Sequence, residues 1–262
     1  MSLTWREAPD PRPPRPGPGG LALALLRGAA LLAVLVTGLA LLLLLRLVER
    51  PLCQARRPLT PWITVGVCRL GLWLCGLRVA RRGAAPIRRG AVLANHSSWL
   101  DVLALNAEVP VVFVAKSEVA RWPGIGLLAR ATGTVFVRRE ARGEARAQVA
   151  ALRERLDRGE CLVLFPEGTT SDGRRVLPFR PALLAALGPH DPAQPVTLTW
   201  HAPPGEDPRF YGWWGAAALG PHALAVLAAR GGRLTVTRHA PLAGGDRKAL
   251  AALAEARVRA AL

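Results

Sequence analysis

From Gly28 to Leu45 the chain runs for 18 residues without a charged side chain. As a helix, such a stretch is about 27 Å long, close to the hydrocarbon thickness of a bilayer. It is too long, and too poorly followed by a cleavage site, for an ordinary signal peptide. Arg46, Arg50, Arg56 and Arg57 follow it closely. An excess of arginine on the carboxyl side keeps that side in the cytosol. The expectation is a membrane protein whose folded part stands on the cytoplasmic face, that of the inner membrane in a bacterium. With 262 residues in all, room remains for one sizeable α/β core.

A second apolar segment, Trp62 to Val79, carries Arg69 in its middle. A charge at the bilayer centre costs about 3 kcal/mol or more. A helix lying in one leaflet, with Arg69 reaching back to the headgroups, is therefore expected over a second span. Arg78, Arg81, Arg82, Arg88 and Arg89 then form a basic collar suited to anionic lipid. Ahead of the anchor, residues 1–20 are rich in Pro and Gly and read as a disordered or extended leader. The organisation expected is a disordered leader over 1–20, membrane-anchoring helices over 21–82 and a folded domain over 83–262.

The formal charge of +17 comes almost wholly from arginine, since Lys116 and Lys248 are the only lysines. Nucleic acid and anionic membrane both attract such a chain. Nothing here reads as a helix-turn-helix or an RNA-binding sheet, and the basic residues flank apolar segments, so membrane lipid is the expected partner and nucleic acid is not. Cys53, Cys68, Cys75 and Cys161 form no CxxC pair and have no His at zinc-ligand spacing. Reduced thiols and no metal are expected.

After residue 90, short apolar runs alternate with amphipathic stretches. Strands are expected at Ala91–Ala94, Val111–Ala115, Thr134–Val137, Cys161–Phe165, Val196–Trp200 and Leu234–Thr237. A helix over Glu144–Arg158 should stop at Gly159, and Asp246 should cap a last helix. Strands interleaved with helices indicate an α/β fold, a mixed sheet flanked by helices.

His96 and Asp101 are the first chemical pair. A strand ending at Ala94 delivers His96 into a loop, with Asp101 on the first turn of the next helix. The carboxylate can hold one imidazole tautomer and stabilise the imidazolium, leaving the other nitrogen to take a proton from a hydroxyl. Ser97 and Ser98 suit helix capping better than nucleophilic attack, because no G-x-S-x-G elbow is present. A second block, Phe165-Pro166-Glu167-Gly168-Thr169-Thr170-Ser171, follows the most apolar strand. Its Gly168 allows close backbone approach, and its hydroxyls and amides can hold an oxyanion or phosphate. Lys116 at one strand end, and Arg138 and Arg139 at another, are natural anion contacts.

In this order, N-H-x4-D at Asn95–Asp101, K-x-E…P-x-x-G at Lys116–Gly126, G-x-x-F-V-x-R at Gly133–Arg139 and F-P-E-G-T-x-S at Phe165–Ser171 resemble the glycerolipid acyltransferases. The closest likeness is to the lysophosphatidic acid (1-acylglycerol-3-phosphate) O-acyltransferases, and it covers about residues 90–200. Pro195 falls where the family's fourth block begins. Tyr211-Gly212-Trp213, followed by Pro221-His222 and the strand to His239, resembles a bacterial subgroup.

The resemblance implies His96 as general base and Asp101 as its orienting partner. It implies Glu167, Gly168 and Thr169 as shaping the acceptor pocket, with Arg138, Arg139 and Lys116 contacting the acceptor's phosphate. It also implies an N-terminal two-helix anchor, no metal cofactor, and acyl-CoA or acyl carrier protein as donor, the latter as a protein partner. The activity implied is acyl transfer to the sn-2 hydroxyl of lysophosphatidic acid, giving phosphatidic acid.

In two places the chain departs from the pattern. Thr170 stands where many relatives carry a phosphate-binding Arg, which leaves Arg174 or Arg175 to replace it. Arg180-Pro181-Ala182 stands for the usual Lys-x-Gly. The first departure motivates an alternative acceptor, a lyso-ornithine lipid or another lysophospholipid. A lipid hydrolase and a catalytically decayed lipid-binding scaffold are the readings from other classes.

Overall fold

The uncharged run lies inside one helix, α1 (Pro18–Cys53), in a computed structural model that describes residues 5–54, 56–138, 143 and 145–262. Pro18 suits the first turn, where its missing N–H has no helical partner to lose. Among the described residues α1 is the one helix long and apolar enough to cross a membrane. The second anchor helix expected before residue 83 is not of that kind. That segment forms α2 (Thr60–Leu74), only 15 residues long. One face of it, Cys68 and Leu72, packs into the protein against Leu77, Leu100, Tyr211 and Val226. Arg69 does not reach for headgroups either. Its Nε donates to the Ala107 carbonyl at 2.8 Å, capping the end of α3 (Leu100–Asn106).

Side chains within the anchor hold α1 to α2 and both to the rest of the molecule. Glu49, 3% exposed, accepts the Leu59 and Thr60 amides and the Thr60 hydroxyl, and so supplies the N-terminal partners that α2 lacks. At Gly38 a Cβ would stand 2.3 Å from a Val67 methyl, so the helices cross where only glycine leaves room. Arg27 donates to the Leu227 and Ala229 carbonyls at 2.9 and 2.7 Å, closing the end of α6 (Leu219–Ala228).

The strands are β1 (Leu77–Gly83), β2 (Gly90–Ala94), β3 (Val112–Lys116), β4 (Val135–Val137), β5 (Cys161–Leu164), β6 (Pro192–His201), β7 (Gly232–Arg238) and β8 (Leu242–Ala243). They form one 8-stranded sheet in the order β1-β7-β6-β2-β5-β3-β4, with β8 on β6. β6, β2, β5, β3 and β4 run parallel; β7 and β8 oppose β6, and β1 runs with β7. The sheet is therefore mixed. Its central strands β2 and β5 are buried along their whole length, as parallel strands covered on both faces must be. One face packs under α5 (Ala145–Asp157) and α7 (Arg247–Ala260) through Leu152, Leu156, Ala254 and Val258. Asp246 caps α7, accepting from Lys248 N–H at 2.8 Å.

The boundary expected at 82/83 falls inside β1, which is hydrogen-bonded along Leu77–Gly83 to β7. Anchor and folded domain are thus continuous in the sheet. The leader is extended rather than disordered over its described part. Trp5 is 7% exposed, and Asp10 accepts the Ala216 amide at 3.1 Å. An indole removes enough apolar surface from water to hold a proline-rich segment down.

Candidate active site

Because β2, β5, β3, β4 and β6 are parallel, their carboxyl ends share one edge of the sheet, the edge where open α/β sheets carry ligands. His96 leaves β2 there, the Glu167 turn leaves β5, Lys116 ends β3, and Arg138 follows β4. Lys116 pairs in register with Val137, which places it beside Arg138. Strand spacing puts these two cations about 10 to 15 Å from the end of β2. Arg139 lies outside the described residues.

His96 Nδ1 stands 2.8 Å from Asp101 Oδ2. The same oxygen accepts the Ser97 and Ser98 amides at 2.8 and 2.9 Å, and Asp101 Oδ1 accepts the Trp200 indole N–H at 2.7 Å. A carboxylate with no exposed surface thus receives four donors. That network makes Nδ1–H the tautomer it selects. Nε2 has no protein partner among the described residues, and the His96 side chain is 20% exposed. The ring lies 3.8 Å over that of Phe165, nearly parallel, which leaves it little freedom to turn.

Glu167 is 2% exposed. Its Oε1 accepts the His96 amide at 2.8 Å and its Oε2 the Leu177 amide at 3.1 Å. Both oxygens are therefore engaged with the backbone, one of them with the residue that carries the imidazole. Burial, with Asp101 and Glu255 nearby, pushes the carboxyl up to about 8 despite the two amides. Gly168, at φ +80°, makes the turn that points Glu167 inward. The Ser171 amide returns to the His96 carbonyl at 3.0 Å, tying the two motifs together.

Further partners arrive from distant parts of the chain, Trp213 and His222 from the blocks that resemble a bacterial subgroup and Trp200 and Trp5 from outside any motif. Trp200 comes from the carboxyl end of β6. The Trp213 amide donates to the Ser97 carbonyl at 2.7 Å. Trp99 Nε1 donates to His222 Nδ1 at 2.9 Å, and His222 Nε2 faces the Phe210 carbonyl at 3.2 Å. Burial holds the His222 imidazole below its usual range, which suits this neutral relay between loops. Trp5 bridges the leader to the turn. Its amide donates to Thr169 Oγ1 at 3.4 Å, its ring meets Trp214 edge-on at 6.3 Å, and the Arg175 guanidinium lies 5.1 Å from its centre. Arg175 also bonds Asp172 at 3.3 Å and so does not stand as a free substitute for the missing Arg.

Comparison with known proteins places the chain that carries this arrangement in a family. The acyltransferase family pattern matches residues 77–198. The chain is 50% identical to a lyso-ornithine lipid O-acyltransferase of Rhodobacter capsulatus, over 98% of this chain and 95% of that protein. It belongs to the glycerolipid acyltransferase family. It is an acyltransferase and works on lipid, and its long apolar helix associates it with membrane. Likeness to a 1-acyl-sn-glycerol-3-phosphate acyltransferase of Neisseria gonorrhoeae is narrower, 39% identity over 46% of this chain and 48% of that one. The fold is shared with the crystal structure of the 1-acyl-sn-glycerophosphate acyltransferase PlsC from Thermotoga maritima. That match has a TM-score of 0.57 and 20% identity, over 90% of this chain and 95% of that chain.

Proposed function

We propose that the protein transfers a fatty acyl group from an acyl thioester, acyl-CoA or acyl carrier protein, to the free hydroxyl of a lyso-ornithine lipid. The observation that carries this acceptor is the 50% identity to the Rhodobacter capsulatus enzyme along nearly the whole of both chains, leader included. The lysophosphatidic acid reading draws on a sequence likeness confined to less than half of the chain. Local chemistry agrees. Thr170 offers a hydroxyl where a dianionic phosphate wants a guanidinium, and the nearby Arg175 is already neutralised by Asp172. A zwitterionic headgroup needs less cationic charge than a phosphate monoester. Lys116 and Arg138 stand at the same edge of the sheet as His96.

In the reaction, His96 Nε2 takes the hydroxyl proton as oxygen attacks the thioester carbonyl. The C–O bond forms, the C–S bond breaks, and the departing thiolate recovers the proton from the imidazolium. Asp101 stabilises that imidazolium. Glu167 is a positioning residue that fixes the His96 backbone, not a wall of the acceptor pocket. Thr169 and the turn amides, with Gly168 allowing close approach, are the groups offered to the developing oxyanion. Arginines at the carboxyl end of α1 support a cytoplasmic catalytic face, where thioester donors are made.

The test is a panel of acceptors (lyso-ornithine lipid, lysophosphatidic acid, lysophosphatidylethanolamine) with each donor, read by lipid mass spectrometry. Expected is acylated ornithine lipid as the dominant product, lost in His96→Ala. Faster turnover of lysophosphatidic acid would reject the acceptor, and undiminished turnover in His96→Ala would reject the base.

A further inference from the structure

The opposite edge of the sheet holds a feature that the acyl-transfer chemistry does not use. Where the parallel strands begin, a cleft of about 760 Å3 opens between the end of α1, the start of α2 and the last turn of α5. Arg56, Arg57, Arg88, Arg155 and Arg158 line it, against Glu160 as its one carboxylate among the described residues. Arg155 bonds Glu160 at 3.0 Å, and Arg158 pairs with Glu154 on its own helix. Arg57 donates to the Ala131 carbonyl at 3.0 Å. Burial, and the charges of Arg46 and Arg155, lower its hold on its proton. No carboxylate pairs with Arg56 or Arg88 among the described residues. Both are exposed, and Arg88 stands 5.8 Å from the centre of the Trp62 ring. Cation is thus crowded here beyond what the protein neutralises.

The surroundings say what kind of anion fits. The floor is apolar, with Val111, Val112 and Cys161 among its walls. Its rim is the end of α1 and the start of α2, where Leu52 is 77% exposed, Leu59 57% and Trp62 45%. Large apolar side chains left in water beside unpaired guanidiniums suit a molecule that is anionic at one end and aliphatic at the other. The length of β2 separates this cleft from His96, about 16 Å at strand rise. A lipid held there is not in line for acylation.

We propose that this cleft is a second lipid site, which takes the headgroup phosphate of an anionic phospholipid from the bilayer. The acyl chains lie along the exposed flank of α1 and α2. Such a lipid would set the depth and tilt of the domain at the membrane without being a substrate. The site is independent of which acceptor the enzyme acylates.

The experiment uses the full chain purified in a neutral detergent. Bound lipid is counted by native mass spectrometry, and thermal stability is followed as phosphatidylglycerol, phosphatidylcholine or inorganic phosphate is added. Phosphatidylglycerol is expected to remain bound and raise the melting temperature, with little effect from the other two. The pair Arg56→Gln and Arg88→Gln should weaken phosphatidylglycerol binding roughly thirtyfold, taking about fivefold per arginine. Acyl transfer in micelles should be unchanged in that variant. Arg230→Gln with Arg247→Gln, exposed arginines outside the cleft, removes the same charge and should leave the lipid bound. Equal binding of phosphatidylcholine would overturn the proposal, as would equal protection by inorganic phosphate, or an equal loss in both double variants. Because the readout is binding, failure here is distinct from absence of transfer to any acceptor.

Discussion

Replacing Asp101 with asparagine isolates the charge of the carboxylate from its shape. In the wild type, Oδ2 takes His96 Nδ1–H and two amides, and Oδ1 takes the Trp200 indole. Asparagine has one acceptor oxygen. Its better orientation gives that oxygen to the three donors and turns its NH2 toward Trp200, two donors facing each other across 2.7 Å. One buried donor left without a partner costs about 1–3 kcal/mol of stability. For a chain of this size that is a fall of roughly 3–10 °C in melting temperature. Catalysis should suffer more. The imidazole keeps its tautomer, but the imidazolium formed during proton transfer loses its anion, and general-base assistance is worth about 10²–10⁴ in rate. We expect kcat to fall about a thousandfold with the KM for acceptor nearly unchanged. Initial rates at saturating acceptor, beside thermal unfolding in detergent, provide both numbers. A folded Asp101→Asn enzyme with kcat within tenfold of wild type would refute the role given to this carboxylate.

Trp200→Phe removes only the bond to Oδ1. It should lower kcat by about tenfold or more and shift the pH–rate profile, because a hydrogen bond to a charged group is worth about 1.5–3 kcal/mol. An unshifted profile with unchanged kcat would reduce Trp200 to packing. Glu167 links stability to pH. Its folded pKa of about 8 lies above the usual carboxyl value of 4.5, so the stability it contributes is full below about 4.5 and is lost as pH rises through about 8. Melting temperatures from pH 5.5 to 9 should decline for wild type and run flatter for Glu167→Gln, which should also be less stable at low pH, having one acceptor where two amides need partners. Parallel curves would contradict the assignment. Trp5→Ala should raise the KM for acceptor several-fold with a smaller effect on kcat, since Trp5 touches the Thr169 turn and not His96. A kcat-only effect in steady-state kinetics would place the leader elsewhere in the cycle.

The central sheet was legible because β2, β5 and the core of β6 are buried on both faces and read as unbroken apolar runs. Their observed limits lie within a residue or two of those expected at β2, β3, β4 and β5. β1 was not legible. Its apolar start is continuous with α2, the break being marked only by Gly76 at φ +71°, and as an edge strand it turns Arg78 and Arg82 to solvent while Arg81 pairs with Glu108. The His96–Asp101 pair follows from spacing, because both residues belong to one loop and the turn after it. Trp200 meets Asp101 across 99 positions and Trp5 meets Thr169 across 164, and no local pattern encodes such meetings. For Glu167 the position was evident and its partners were not: a motif places a carboxylate there, while only the fold shows it buried on the His96 and Leu177 amides.

Arg27 and α2 carry a practical consequence. Cutting the chain after residue 82 to obtain a soluble enzyme would sever β1 and strip the closing guanidinium from α6. It would also bare the faces of Leu100, Tyr211 and Val226 that α2 covers. The hydrophobic segment is a wall of the building, not a tether tied to it. Solubilisation has to proceed by amphiphiles that wrap the intact chain, and a truncated version should be recovered as aggregate.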